Sequence, residues 1–498
     1  MSFEKDLELV TNYQKEIILI SRAAALMHWD QETNMPKKGV ETRAENIALL
    51  AGIAHEKRIS QEFFEATKRL QKDKQLKLDD KLMLKRLIKD LEKSRVLPRE
   101  FVEELERAST KSTVAWREAR EKNDFNIFKP HLEKIVELKR KEAAYYKFPG
   151  HIYNGLLDDY EEGMTVEELK PKFKELKKGL TILLKKIESS DKYKKQKQVL
   201  TKKKFPEELQ MELVRDVVKR MGLEEDVSRI DFSEHPFTIG IGLNDVRITT
   251  NIRPDPLFSF GSSIHEAGHA LYELGLPEEY FYNALGSAPS FGIHESQSRF
   301  WENMIGKSKN FWKFYFPKFS EKFDLGNDWE EWYNEMNFVT PGKIRVEGDE
   351  VHYCLHIILR FEIELGIMDG SIEVSDLPKI WNDKMKELFG VVPKNDKEGV
   401  MQDVQWSTGS IGYFPTYALG TIYASQLYKT LSKENPDLEK EIKEGEFSKI
   451  KAWLHEKIHK HGRKYLSEEL IKKTCGEGLN VKTYLNYLND KYSEIYSK

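Results

Sequence analysis

The stretch Ser262-Ser263-Ile264-His265-Glu266-Ala267-Gly268-His269-Ala270-Leu271-Tyr272 joins two imidazoles and a carboxylate at a spacing that a helix makes useful. On a helix of about 3.6 residues per turn, His265 and His269 lie one turn apart on nearly the same face. Two imidazoles placed in this way can share one metal ion, and Glu266 can reach a water molecule on that metal without becoming a ligand. The stretch therefore predicts a metal-binding helix with Glu266 as the general base.

The residues around this motif also indicate a helix. Ser259 or Ser262 can cap its start, and Leu274-Gly275-Leu276-Pro277 is a stop signal. An amphipathic helix with two incidental histidines is the alternative interpretation. Gly268 argues against it, because glycine inside a helix costs about 1 kcal/mol relative to alanine. Apolar residues recur at steps of three and four, at Ile264, Ala267, Leu271 and Leu274.

Length, charge and cysteine content exclude several other classes of protein. The chain has 498 residues, of which 33% are charged and 11% aromatic, as is typical of a soluble globular protein. The formal net charge is -3, so nothing indicates binding to nucleic acid or to an anionic membrane. Acidic residues stand where a signal peptide would be basic, and no apolar run could span a bilayer. Cys354 and Cys475 are the only cysteines, which suits a reducing compartment and predicts a cytoplasmic protein.

The rest of the chain reads as long helices with one strand signal. Residues 3 to about 145 repeat apolar residues at helical steps. Thr238–Gly242 and Arg247–Ile252, joined through Leu243–Val246, predict a hairpin immediately before the metal-binding helix. An edge strand there could pair with an extended peptide backbone, and a purely structural sheet is the alternative.

A catalytic zinc ion usually has three protein ligands, and the motif supplies two. The metzincin extension would need a histidine at the position of Gly275, so that variant is excluded. A second helix is expected to begin near Phe291, and Glu295 on it is the preferred third ligand. His294 and Glu302 are weaker competitors. Glu302 could instead orient an imidazole from outside the ligand set or form a surface salt bridge.

A series of motifs resembles the carboxypeptidase Taq family of zinc metallocarboxypeptidases, in the order found in that family. The segment Met27–Pro36 also resembles the N-terminal part of the family, so the likeness covers nearly the whole chain. The motifs are His235-Pro236-Phe237, Asp245-Val246-Arg247-Ile248-Thr249, His265-Glu266-Ala267-Gly268-His269, His294-Glu295-Ser296-Gln297, Ile344-Arg345-Val346-Glu347-Gly348-Asp349 and Gly399-Val400-Met401-Gln402-Asp403-Val404-Gln405-Trp406.

The resemblance implies a fold and an activity. The expected fold is mainly α, a large helical metallopeptidase with a deep groove and a small β-sheet, similar to neurolysin and angiotensin-converting enzyme and assembled as a homodimer. The expected activity removes single residues from peptide C-termini with broad specificity and little action on proline. It requires one Zn²⁺ per chain, for which Co²⁺ is a possible substitute. One peptidase domain is expected over 1–498, with a helical scaffold over about 1–230, a catalytic part over about 231–425 and C-terminal helices over about 426–498.

The resemblance also suggests how the substrate is held. Arg345 matches the residue expected to bind the terminal carboxylate, and its planar guanidinium suits bidentate pairing. A simple helix pair between Arg345 and Asp349 is the alternative. Arg247 is second choice for the same task, and pairing with Asp245 to brace the hairpin is its alternative role.

Other groups are expected around the reacting carbonyl. By resemblance, Tyr413, Tyr417 and His235 are the groups expected to stabilise the oxyanion of the tetrahedral intermediate. A role in the core is the alternative for either tyrosine. Gln402 and Asp403 are expected at the substrate groove, where they organise its wall.

The chain departs from the family pattern at two positions. Gln405 stands where the family has histidine, and Gly348 where alanine is usual. Glutamine cannot titrate near neutral pH, so the rate or its pH profile is expected to differ from that of relatives in which this histidine carries a proton or charge. Two rival functions remain open. One is an oligoendopeptidase or dipeptidyl carboxypeptidase on the same fold, and the other is a zinc-containing peptide-binding protein whose catalysis is impaired through Gln405.

Overall fold

Long helices form the N-terminal part of the protein, as the apolar periodicity predicts. The structure, a computed structural model, describes residues 2–200 and 203–497. The first, third and fourth helices enclose a hydrophobic core of their own around Val10, Ile17, Phe63 and Leu84. In chain order the helices are α1 (Phe3–Thr33), α2 (Val40–Ile59), α3 (Gln61–Gln71), α4 (Leu78–Arg95), α5 (Arg99–Lys122), α6 (Phe125–Tyr146), α7 (Asn154–Leu157), α8 (Val166–Glu188), α9 (Asp191–Lys195) and α10 (Glu207–Arg220).

A small sheet follows, made of β1 (Ser228–Phe232), β2 (Thr238–Gly242) and β3 (Asp245–Thr250). The strand order is β1-β3-β2, with β1 parallel and β2 antiparallel to β3. The predicted hairpin is present, although its second strand begins and ends two residues earlier than expected. The sequence pattern does not predict β1, because its residues do not alternate between buried and exposed positions. As the outer strand on the other side, β2 is an edge of this sheet.

The motif helix begins earlier than the serine caps predict. The helix α11 (Pro256–Gly275) follows Asp255, whose side chain accepts a hydrogen bond from the Leu257 amide at 2.9 Å. Proline at the first helical position is favourable there, since its missing N–H would have no partner within the helix. Ser259 and Ser262 lie inside α11, so their prediction as caps was wrong. The C-terminal end at Gly275 agrees with the stop signal.

The remaining helices complete one large core around α11. The second predicted helix, α12 (Phe291–Arg299), continues as a π-helix over Phe300–Gly306. It packs against both α11 and α17. The helices that follow α12 are α13 (Lys309–Phe323), α14 (Trp329–Met336), α15 (Glu350–Asp369), α16 (Leu377–Phe389), α17 (Pro415–Glu434), α18 (Leu438–Glu444), α19 (Ser448–Lys457), α20 (Ser467–Cys475) and α21 (Val481–Tyr496).

The expected fold class, mainly helical with a small sheet, is confirmed. Most of the buried apolar residues belong to a single core that extends from α5 to α21. No helix within residues 2–200 and 203–497 has both the length and the apolar character needed to span a membrane.

Candidate active site

Three side chains from α11 and α12 converge in one cluster. His265, His269 and Glu295 each offer one ligand atom, and these atoms all lie within 4.8 Å of one another. The Nε2 atoms of His265 and His269 are 3.5 and 3.4 Å from Oε2 of Glu295. Two imidazoles and one carboxylate are a donor set that suits a catalytic zinc ion and leaves a position open.

Two glycines allow the helices that carry this cluster to approach closely. A Cβ atom on Gly268 of α11 would lie 2.8 Å from both the backbone oxygen of Gln297 and the Cα atom of Ser298. A Cβ atom on Gly420 of α17 would lie 2.6 Å from Cβ and Cγ of Glu295. Close contact, which only glycine permits, therefore holds α12 between α11 and α17. This contact accounts for the glycine inside the motif helix.

We expect Gly268→Ala to destabilise the protein and to reduce its capacity for metal. The added methyl group meets backbone atoms of α12, and overpacking of this kind costs typically about 1–3 kcal/mol. Gly261→Ala is the matched control, since Gly261 lies in α11 with nothing within 4 Å of an added Cβ atom. There the helix propensity of alanine should leave stability unchanged or slightly higher. Thermal unfolding midpoints and bound metal would be compared, and equal midpoints for both variants would contradict the close-packing explanation.

The carboxylate of Glu302 and the guanidinium of Arg299 contact the ligand residues. Glu302 Oε2 lies 2.9 Å from the outer nitrogen, Nδ1, of His265, which is the orienting position considered from the sequence. Arg299 donates to Oε1 of Glu295 at 2.7 Å and to Glu302 at 3.2 Å. His294 lies outside the group of three ligand atoms. Arg299 stands one helical turn after Glu295, and no motif in the sequence predicts its role.

The charges of the cluster favour a bound cation. Burial works against a proton on His265, but Glu295 and Glu302 outweigh it and raise the pKa of His265 to about 10. Burial lowers the pKa of His269 to about 3. Burial also acts against the charge on Glu295, yet Arg299 and the histidines hold its pKa well below the usual value. A divalent metal ion among these atoms would take the place of the proton on His265. The residues present therefore fit the metal that the motif predicts.

Glu266 is held from the edge strand of the sheet. The hydroxyl of Thr238 on β2 lies 2.6 Å from Oε2 of Glu266 and 2.9 Å from its backbone oxygen. Burial raises the pKa of Glu266, while His265 and the Thr238 hydroxyl act in the opposite direction. The contact of Thr238 with Glu266 is not predictable from the sequence, because only the fold brings the start of β2 beside α11.

A second charged group surrounds Arg345, which is buried with 7% exposure. Its Nε donates to Oδ1 of Asp403 at 2.9 Å, and Arg360 of α15 donates to Oδ2 of the same carboxylate at 2.7 Å. Gln402 accepts hydrogen bonds from the backbone amide of Arg345 and from Arg360. Asp349 caps α15 instead of pairing with Arg345. Gln402 and Asp403 thus hold the two arginines, and Arg360 was not identified from the sequence.

Tyr417 packs against Arg345 and stands on α17 one helical turn before Gly420, which contacts Glu295. The Arg345 guanidinium is 4.8 Å from the centre of the Tyr417 ring, and Gln405 donates to the Tyr417 hydroxyl at 3.3 Å. The Tyr413 ring contacts that of Tyr417 edge-on. Burial is the main cause that raises the pKa of both phenols, with the Glu295 charge acting in the same direction. Both tyrosines therefore stay protonated and can donate hydrogen bonds.

Two other predicted residues are placed differently. Arg247 forms a two-point pair with Asp245, with both distances 3.0 Å, and its guanidinium lies 4.3 Å from the centre of the Trp29 ring. This contact is the bracing role that was its alternative. His235 is exposed, and its ring forms no hydrogen bond with any residue in the described part of the chain.

Comparison with known proteins agrees with this geometry. The family model described as carboxypeptidase Taq (M32) metallopeptidase matches residues 9–492. The chain belongs to this family. It is 38% identical to carboxypeptidase 1 of Bacillus subtilis, with 97% of each chain covered. It is 37% identical to thermostable carboxypeptidase 1 of Pyrococcus furiosus, with 97% of this chain and 98% of that one covered.

Solved structures of the carboxypeptidase Taq family have the same fold. The M32 carboxypeptidase from Deinococcus radiodurans superposes with a TM-score of 0.95 at 33% identity, covering 99% of this chain and 100% of that one. The structure of the Pyrococcus furiosus carboxypeptidase superposes with a TM-score of 0.94 at 36% identity, covering 98% of this chain and 99% of that one. The protein is accordingly a metallocarboxypeptidase, a hydrolase that acts on peptide bonds.

Proposed function

We propose that the protein is a zinc-dependent carboxypeptidase that removes one residue at a time from peptide C-termini, with broad specificity and little action on proline. The observation that supports this most is the position of Tyr417. Its ring lies against the buried Arg345, and it stands one helical turn before Gly420, whose backbone packs on Glu295 of the metal cluster. A group that binds the terminal carboxylate and a group that hydrolyses the bond are thus neighbours in one site.

His265, His269 and Glu295 would hold the zinc ion, and Co²⁺ is a possible substitute. When bound, the metal supplies a Lewis acid that polarises the scissile carbonyl and lowers the pKa of a water molecule towards about 7. Glu302 and Arg299 keep the ligands oriented through the contacts at 2.9 and 2.7 Å.

Side chains of the protein transfer the proton, stabilise the oxyanion and bind the terminal carboxylate. Glu266, oriented by Thr238, takes a proton from the attacking water and delivers it to the leaving amine. Tyr417 and Tyr413 stay protonated and donate to the oxygen on which negative charge develops. Arg345, fixed by Asp403, binds the terminal carboxylate so that the last peptide bond is the one cleaved. His235 is proposed as a third donor to the oxygen on which negative charge develops.

We further propose a cytoplasmic homodimer, one peptidase domain per chain, and a deep groove like those of neurolysin and angiotensin-converting enzyme. The two free cysteines suit a reducing compartment. Exposed apolar side chains on α1 and α2, among them Leu19, Leu49 and Ile53, support a surface that meets another chain.

A time course of peptide products tests this function. An unmodified peptide should give a ladder of products shortened one residue at a time from the C-terminus, read by mass spectrometry, and a chelator should abolish the ladder. The same peptide with a C-terminal amide should be cleaved far more slowly, since Arg345 would lose its carboxylate partner. Rapid internal cleavage of the amidated peptide would instead support an oligoendopeptidase. Intact peptide bound without products would support an impaired binding protein.

A further inference from the structure

A chain of contacts leads from the outer nitrogen of His269 to the N-terminal helix α1. His294 Nδ1 lies 2.6 Å from Nδ1 of His269, and His294 Nε2 lies 3.0 Å from Oε1 of Glu273. Arg22 of α1 lies 3.8 Å from the other oxygen of Glu273 and also donates to the Gly240 carbonyl on β2. Neither His294 nor Glu273 is among the three ligand atoms. These residues therefore contact the metal cluster through His269, whereas Glu302 contacts it through His265.

The direction of each hydrogen bond follows from the position of the ligand atoms. His269 turns Nε2 towards Glu295, so that atom must keep its lone pair for a metal and the ring proton must lie on Nδ1. That proton can only be donated to Nδ1 of His294, which acts as acceptor. The proton of His294 then lies on Nε2 and is donated to Glu273. Each neighbour thus fixes the tautomer of the next ring.

The two metal histidines are supported in different ways. The carboxylate of Glu302 contacts Nδ1 of His265 directly, whereas His269 reaches the carboxylate of Glu273 through the intervening ring of His294. A hydrogen-bond acceptor at the outer nitrogen orients a ligand histidine and makes it a better donor to the metal, and its removal typically weakens binding about 10–100-fold. The chain of contacts from His269 through His294 to Glu273 continues to Arg22, a residue of α1.

We propose that His294 and Glu273 are positioning residues that fix the tautomer and orientation of His269 and thereby set the affinity for the metal, with Arg22 linking α1 to this pair. The inference rests on the metal site of the proposed function. It adds that residues outside the ligand set, including one on the N-terminal helix, determine how tightly the ion is held.

The test is the zinc affinity of the metal-free protein, measured by competition with a chromophoric chelator. We expect His294→Phe to weaken zinc binding about 10–100-fold, because Nδ1–H of His269 loses its acceptor. His459→Phe is the matched control. His459 is a buried histidine whose ring packs on Tyr272, as that of the half-buried His294 does, but its Nε2 contacts Gln297. The zinc affinity of the His459→Phe variant should stay within about twofold of that of the wild-type protein.

Variants of Glu273 keep the inference testable if His294→Phe does not fold. Glu273→Met removes the acceptor of His294 and should weaken zinc binding by a factor similar to that of His294→Phe. Glu273→Gln keeps an oxygen acceptor and should restore most of the affinity. Wild-type affinity in folded His294→Phe or in Glu273→Met would overturn the inference. If the wild-type protein itself bound no zinc, the proposed function would fail instead, so the two failures are distinguishable.

Discussion

Glu266→Gln should retain the metal and lose hydrolysis, with kcat lowered about 10²–10⁴-fold. Glutamine has nearly the shape of glutamate, and its carbonyl oxygen can still accept the hydrogen bond from Thr238 that the carboxylate accepts at 2.6 Å. It cannot take up a proton from water. Because Glu266 is not among the three ligand atoms, zinc content and affinity should stay close to those of the wild-type protein.

The measurement is steady-state hydrolysis of a peptide with a free C-terminus, together with the metal content of each preparation. Glu279→Gln serves as the control, since it makes the same chemical change at an exposed glutamate just beyond the end of α11. Its kcat should match that of the wild-type protein. Turnover near the wild-type rate in Glu266→Gln, with zinc bound, would refute Glu266 as the base. A loss of zinc in that variant would point to a structural role.

The core of this site can be predicted from sequence because its geometry is local. The spacing of His265, Glu266 and His269 fixes their arrangement once the segment is helical, and the end at Gly275 follows from local signals. Glu295 follows from the need for a third ligand and from the position of the next helix. These steps use helix geometry and coordination chemistry, which hold in any fold.

The groups that support the site depend on tertiary packing, which one sequence does not encode in a readable pattern. Thr238 reaches Glu266 only because β2 lies beside α11. Arg360 and Asp403 are far apart in the chain, and their contact requires α15 to pack next to a loop. The cap at Asp255 was missed for a different reason, since several residues near the start of α11 are suitable caps and the apolar pattern does not distinguish them.

The family's motif series locates residues without giving their contacts. It predicts Arg247 as an alternative anchor for the substrate, whereas in the structure Asp245 and Trp29 already occupy the guanidinium. For Arg345 the sequence leaves a pair with Asp349 open, and the structure replaces that pair with Asp403. Asp245 accepts hydrogen bonds from both Nε and Nη2 of Arg247, whereas Asp403 accepts only from Nε of Arg345 among the described contacts.

Arg345→Met should lower kcat/KM for peptides with a free C-terminus about 10²–10³-fold, as expected when one partner of a buried charge pair is removed. Asp403 would keep Arg360 as a partner at 2.7 Å, so the wall of the site should persist and zinc should still bind. The sharper readout is the ratio of kcat/KM for a free peptide to that for its amide. Wild type should favour the free acid strongly, and the ratio should approach one in Arg345→Met.

Arg247→Met separates carboxylate binding from bracing of the sheet. Removing that guanidinium ends the pair with Asp245 and the contact with Trp29, so the thermal midpoint should fall. The preference for free acid over amide should remain, because the terminal carboxylate is bound elsewhere. If Arg247→Met lost this preference and Arg345→Met kept it, the two roles would be reversed. Arg247 would then be the group that confines cleavage to the last bond, and Asp245 would have to release it when a substrate arrives.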